Sequence, residues 1–233
     1  MAARRNVGSA QPVDPQNILA ANSSTTFIEE DATWEYLDNG TNPGDKWRDP
    51  DKAVKGWKSG QALLGYGNGD EKTVISYGPY PRAKYPTVYF RGTFDVEGAS
   101  SYSALKLTLD ADDGAIVYLN GEEAYRSPNL KKGSNLPYTD GFACSNGKLE
   151  EADLDPKLLR DGENLIAVEV HQCTASSSDL AFAAELVGES DGVVSPPTSV
   201  PITPTLPPTE EPTQAPSFEP TQAPTEEPTQ APT

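Results

Sequence analysis

Apolar and polar residues alternate in a series of short runs along this chain. Leu105, Leu107 and Leu109 are separated by Lys106 and Thr108, which gives one apolar face and one polar face, the period-two signature of a half-buried strand. The run passes through Asp110-Ala-Asp-Asp-Gly114 into Ala115-Ile-Val-Tyr-Leu119 and Asn120-Gly121, and Glu122 to Arg126 reads as a returning strand. Asp113-Gly114 and Asn120-Gly121 are dipeptides that tolerate positive φ, so the expectation is strand, acidic tight turn, strand and a second tight turn. Val88, Phe90, Phe94 and Val96 give Thr87 to Val96 an apolar face, with Tyr89, Arg91, Thr93 and Asp95 opposite. Ile166, Val168 and Val170 do the same for Asn164 to His171, as do Leu180, Phe182, Ala184 and Leu186 for the last strand. Trp34 to Leu37 and Thr73 to Tyr77 are shorter strands, and Leu154 to Leu159 reads as one helical turn with Asp155 as its cap and Pro156 at its first position. Short strands, turn signals between them and almost no helix predict an all-β antiparallel sandwich.

Composition divides the chain. From Pro196 to Thr233, 12 of the 38 residues are proline, and Glu211-Pro-Thr-Gln-Ala-Pro216 recurs from Glu219 and from Glu227, a period of eight. Such a stretch cannot bury enough apolar surface to offset chain entropy; it is expected to be a disordered, extended Pro/Thr-rich stalk. The division is therefore residues 1–24 as a disordered segment, 25–188 as the sandwich and 189–233 as linker. A long loop-like stretch, Asp38 to Gly69, carries Trp47, Trp57 and Tyr66; loops of that length are functional or packed down by their own aromatics.

Charge narrows the partners. The whole chain carries −17, and the sandwich segment Thr25 to Gly188 has 27 Asp and Glu against 16 Lys and Arg, or −11. That surface repels nucleic-acid phosphate and anionic lipid, so neither is an expected partner. No apolar run approaches the length of a membrane span. Asn6 to Asn17 shows no apolar core of a signal peptide behind Met1-Ala-Ala-Arg-Arg5. Two cysteines, two sequons (Asn22-Ser-Ser24 and Asn39-Gly-Thr41) and the Pro/Thr stalk point instead to an extracellular or cell-wall location, which implies that the natural chain is longer than these residues.

Each candidate for chemistry has a plainer competitor. Asp110-Ala-Asp-Asp-Gly114 resembles a calcium loop, but position twelve from Asp110 is Gly121 instead of a bidentate glutamate, which rules out an EF-hand. A looser calcium site competes with a turn whose aspartates bond their own backbone. His171 is the single histidine, so no histidine-rich metal centre can be assembled, and as a strand residue it reads as a structural hydrogen-bond partner. No Gly-x-Ser-x-Gly elbow accompanies it, and no carboxylate pair stands out, so the expectation is a non-enzyme. Cys144 and Cys173 either form a disulfide closing a loop of about 30 residues or remain two thiols in a reducing compartment; the disulfide is the favoured reading. Trp47, Trp57 and Tyr66 either stack on sugar rings or anchor the long loop, with anchoring preferred for Trp57.

Several motifs together resemble one family. Trp47 with Trp57-Lys-Ser-Gly60 and Ala62-Leu-Leu-Gly-Tyr-Gly67, then Tyr89-Phe-Arg-Gly-Thr-Phe94, Asp112 to Gly121 with Tyr125-Arg126, and Ala167-Val-Glu-Val-His-Gln172 with Ser177-Ser-Asp-Leu180 are similar to the ordered motifs of galactose-binding-domain-like jelly rolls of secreted proteins. The resemblance spans about Trp34 to Leu186. It implies a jelly-roll β-sandwich that accompanies catalytic domains, metallophosphoesterases among them, and it implies no activity of its own. The two cysteines and the stalk depart from the family pattern.

The resulting expectation is a non-catalytic extracellular module that binds a glycan or cell-wall component. The alternatives are an accessory domain of a larger secreted hydrolase, with an adjacent catalytic domain as partner, and a structural surface protein. Trp47, Tyr66, Arg126 and Tyr138 are the expected ligand contacts. No metal or cofactor is expected, with calcium kept as the open exception.

Overall fold

The computed structural model describes residues 23–130, 144 and 149–191. Tyr138, Asn22, the N-terminal segment and the Pro/Thr repeats lie outside the described residues.

The described chain is an all-β sandwich. Its strands are Ser23–Ile28 (β1), Thr33–Leu37 (β2), Lys58–Gln61 (β3), Leu64–Tyr66 (β4), Thr73–Val74 (β5), Thr87–Val96 (β6), Tyr102–Asp112 (β7), Gly114–Leu119 (β8), Glu122–Arg126 (β9), Glu150–Leu154 (β10), Gly162–His171 (β11) and Leu180–Ser190 (β12). One sheet runs β10-β7-β12-β4-β5, with β1 also pairing to β12; the other runs β3-β2-β6-β11-β8-β9. Neighbours are antiparallel except the short β4–β5 pair. From β6 onward the chain passes repeatedly between the sheets, as a jelly roll requires. The expected helical turn is a 3₁₀ turn at Pro156–Leu158, where Asp155 Oδ1 accepts a hydrogen bond from the Lys157 amide at 3.0 Å.

One element differs from expectation. Asp113-Gly114 does not close a hairpin, because β7 and β8 belong to different sheets. β7 finds its partners in β10 and β12, β8 finds its partners in β11 and β9, and Asp112 to Gly114 is the corner between sheets. Gly114 does not take positive φ; it is needed because a Cβ there would meet the Asn129 side chain at 2.7 Å. The second turn is a true two-residue hairpin between Leu119 and Glu122, with Asn120 at φ 52° and Gly121 at φ 89°.

Two apolar layers result. Between the sheets, Trp34, Phe90 and Phe182 are fully buried; Phe90 and Phe182 stack at 4.1 Å and Trp34 meets Phe182 edge-on at 4.8 Å. Gly92 makes room for the indole, which would lie 3.2 Å from a Cβ at that position. A second cluster covers the outside of the β2–β6–β11–β8 sheet: Tyr89, Ile116, Tyr118, Leu165 and Ala167 lie under Trp47, with Leu37, Val54 and Trp57 packed against them. The long stretch after β2 is therefore a third layer. It explains why Gly114 to Leu119 is buried at every position instead of alternating.

Candidate functional site

Two of the expected ligand contacts, Trp47 and Tyr66, are drawn into the protein. Trp47 is 4% exposed on its 3₁₀ turn and is hemmed in by Trp57 at 6.1 Å, Tyr89 at 5.1 Å and Tyr118 at 5.9 Å, so it offers no open face to a sugar. Its role is the anchoring one. Tyr66 is also 4% exposed; burial raises its phenol pKa, and the hydroxyl accepts a hydrogen bond from Gln172 Nε2 at 2.8 Å. Arg126 is committed to Glu123 through two contacts, Nε to Oε1 at 2.8 Å and an Nη to Oε2 at 2.5 Å. That pairing raises the arginine pKa and lowers the glutamate's. Trp47 and Tyr66 are buried, Arg126 is paired to Glu123 and lines a hollow of about 420 Å³ with Tyr125 and Ser127, and Tyr138 is outside the described residues.

Cys144 and Cys173 form the disulfide, with their Cα atoms 4.9 Å apart. It is stitched to the corner between β7 and β8: Asp113 is buried, and its Oδ2 accepts from the Cys173 amide at 2.7 Å. Asn129 Nδ2 donates to the Asp113 carbonyl at 3.0 Å. Asp113 thus faces inward while Asp110 lies on the outer face of β7, nearer Asp70 and Glu30. Among the described residues, Asp113, Cys144 and Cys173 are the three metal-donor side chains whose donor atoms fall within 4.8 Å of one another. The disulfide removes both thiolates from that set, and the group does not fit a metal. Asp112 remains half-buried beside Asp113 and Asp179, and burial followed by those two carboxylates pushes its pKa up to about 7.

His171 is buried on the covered face of β11, with Nδ1 3.2 Å from Thr87 Oγ1 and Nε2 3.7 Å from Glu169 Oε1. Glu169 in turn accepts from the Tyr118 hydroxyl at 2.9 Å.

The aromatics left at the surface lie together on the loop before β6. Tyr77 is 37% exposed and Tyr80 67% exposed, flanked by Pro79 and Pro81. The loop is held at many points. The Ser76 amide donates to buried Asp38 at 2.7 Å, and Asp38 also pairs with Lys58 at 2.8 Å. The Tyr85 amide donates to the Tyr77 carbonyl at 3.0 Å, the Ala83 amide to Tyr80 at 3.0 Å and the Lys84 amide to Ala175 at 2.9 Å. Below it, Tyr66 meets Tyr77 edge-on at 5.2 Å. Lys84 Nζ lies 5.4 Å and 5.5 Å from the two ring centres and donates to the Ser177 carbonyl. The arrangement is a braced aromatic surface with the Lys84 ammonium beside Tyr77. The sequence pattern hides it, because Tyr77 reads as the end of a strand and Tyr80 as part of a proline turn; the Pro79 and Pro81 bracket around Tyr80 is the signal that marks it.

A second concavity lies at the other end of β6. The 3₁₀ turns Ala99–Ser101 and Pro156–Leu158 enclose a hollow of about 660 Å³ lined by Tyr102, Ser103, Lys157, Leu159, Arg160 and Asp161 among others.

No protein-family model and no curated protein matches this chain. Among solved structures, it is similar to a Bifidobacterium dentium β-glucuronidase complexed with coumarin-3-O-glucuronide, at 22% identity and TM-score 0.42 over 64% of this chain and 20% of that one. An uncultured Clostridium sp. β-glucuronidase aligns at 15% identity and TM-score 0.46 over 78% and 30%. A β-glucuronidase from glycoside hydrolase family 2 aligns at 16% and 0.48 over 74% and 18%. The chain therefore spans less than a third of the length of these neighbours, and their activities are not carried over to it.

Proposed function

We propose that this chain is a non-catalytic, extracellular binding module that takes carbohydrate or cell-wall material on the Tyr77–Tyr80 surface. The observation that carries the reading is the exposure of those two rings on a braced loop while the tryptophans and phenylalanines of the described chain are packed into its cores or half-buried against them. Exposed aromatic faces stack on the C–H faces of sugar rings, and a rigid loop loses little conformational entropy on binding. Lys84 stands beside the Tyr77 ring as a donor for hydroxyl groups. The disulfide suits secretion.

The test is binding of the full chain to a glycan array and to insoluble wall polysaccharides, with and without calcium. Binding that falls about fivefold or more in Tyr80→Ala with unchanged thermal stability supports the reading, since stacking is worth about 1 kcal/mol per ring. Uniformly flat binding in both conditions, or full retention in the Tyr77→Ala/Tyr80→Ala variant, overturns it.

A further inference from the structure

We propose that the hollow between the turns Ala99–Ser101 and Pro156–Leu158 is a second ligand site, selective for a sugar acid: a monosaccharide-sized polyol carrying a carboxylate. It is separate from the tyrosine surface. β6 runs from one to the other over ten residues, which places them roughly 30 Å apart.

Three features support the assignment. The first is shape. About 660 Å³ falls in the range of small-molecule sites, and the lining combines buried Leu159 and half-buried Tyr102 and Pro156 with exposed Ser100 and Ser103. A lining with both apolar and hydroxyl groups matches the mixed character of a pyranose.

The second is charge. Lys157 and Arg160 both line the hollow, and neither makes an ion pair among the described residues. Elsewhere Lys58, Lys106, Arg48 and Arg126 are each paired to a carboxylate. What marks Lys157 and Arg160 is that both border one hollow in a segment with net charge −11. Asp161 also lines the hollow, but its Oδ1 accepts from the Ala99 amide at 2.7 Å. That bond ties the two walls together, and the hollow keeps a net charge of one positive unit from Lys157, Arg160 and Asp161.

The third is preorganisation. Asn164 is fully buried and clamps the turn that carries Arg160. Its Oδ1 accepts from the Arg160 amide at 3.0 Å, and its Nδ2 donates to the Arg160 and Gly162 carbonyls at 2.7 Å and 2.8 Å. Arg160 Nε is fixed on the Glu163 carbonyl at 2.7 Å, which leaves the terminal guanidinium nitrogens for a ligand. Asp155 fixes the turn that carries Lys157. Both cations therefore stand on turns already fixed by hydrogen bonds, and a carboxylate can be met without ordering the backbone at the moment of binding.

The experiment is calorimetric titration of the full chain with galacturonate, glucuronate, galactose and inorganic phosphate. A uronate binding at least tenfold more tightly than galactose and phosphate, and about tenfold more weakly in Lys157→Gln or Arg160→Gln, supports the site. Retention of uronate binding in Tyr77→Ala/Tyr80→Ala locates it away from the tyrosine surface, and loss in that variant refutes the proposal. Equal affinity for galactose refutes the acid selectivity, and equal affinity for phosphate reduces the hollow to an anion trap. No uronate binding at millimolar concentrations, or uronate binding unchanged in Lys157→Gln/Arg160→Gln, overturns it outright. Polysaccharide binding at the tyrosines is read in a different variant, so either site can fail alone.

Discussion

Replacing Asp112 by asparagine should stabilise the domain at pH 8 and leave it unchanged near pH 3.5. Asp112 ends β7 half-buried, next to Asp113 and Asp179, and its pKa stands at about 7 against an ordinary 3.8. The folded state therefore holds this proton more tightly than the unfolded state does. Below pH 3.8 both states are protonated and the group contributes no pH-dependent penalty. Between 3.8 and about 7 the unfolded chain releases the proton while the folded chain keeps it, so stability falls as pH rises; above about 7 the penalty is constant. A shift of this size would amount to about 4 kcal/mol if fully expressed. Solvent screening at a half-exposed carboxylate reduces it to roughly 1–2 kcal/mol. The asparagine side chain is neutral at every pH and can donate a hydrogen bond as the protonated acid does. Urea unfolding of the two proteins at pH 3.5, 5, 6.5 and 8 should show a difference that grows from nothing to roughly 1–2 kcal/mol, or about 2–8 °C in a thermal melt for a domain of this size. A difference that is flat with pH, or that favours the wild type at pH 8, would refute the reasoning.

Three further outcomes are expected. Cys144→Ala/Cys173→Ala should lose about 3–4 kcal/mol of unfolding free energy from release of the 29-residue closure, read by denaturant melts, with the wild type in reductant following the variant. Asp38→Ala leaves the Ser76 amide and the Lys58 ammonium without their buried acceptor and should cost about 1–3 kcal/mol; tyrosine fluorescence anisotropy should show a looser Tyr77–Tyr80 loop. Expression through a secretory pathway should add an N-glycan at Asn39, which is exposed and whose Oδ1 accepts from both the Thr41 amide at 3.0 Å and the Thr41 hydroxyl at 2.7 Å; intact mass before and after glycosidase treatment reads it.

The sandwich was legible because its long strands carry their own periodicity. Leu105, Leu107 and Leu109 alternate in the sequence and are buried in the structure, as are Val88, Phe90, Phe94 and Val96. Which strand pairs with which was not legible at Asp113-Gly114. A dipeptide reports a local change of direction, and β7 closes on β12, a strand dozens of residues away. The edge strand β1 was missed for a related reason. Ser23-Ser-Thr-Thr-Phe-Ile28 has little apolar content, and its place is set by backbone pairing of Ser23 with Ser190 through Thr26 with Val187. The ligand contacts misread burial. Trp47 sits among Asp, Lys, Arg and Gly, a local composition that looks exposed; its partners Tyr89 and Tyr118 come from distant strands, and no window around Trp47 contains them.

The third layer has a consequence for where a ligand can go. Covering the outside of the β2–β6–β11–β8 sheet with Trp47, Trp57 and Val54 uses up the aromatic surface that a flat-face binder would need. The outer face of the opposite sheet carries Asp110, Asp112, Glu185 and Asp153 against Lys106, an acidic field that disfavours anions and gives a sugar ring no aromatic face to stack on. Besides the Arg126 hollow along β9, what remains is the two ends. One end presents braced tyrosines; the other presents a hollow with two cations and half-buried Tyr102. The net charge of −11 repels a uronate at long range, yet its reach at physiological salt is only about 8 Å. Lys157 and Arg160 act inside that distance. Raising the salt should therefore first quicken uronate association, by screening the distant carboxylates, and then weaken the complex, by screening the two cations.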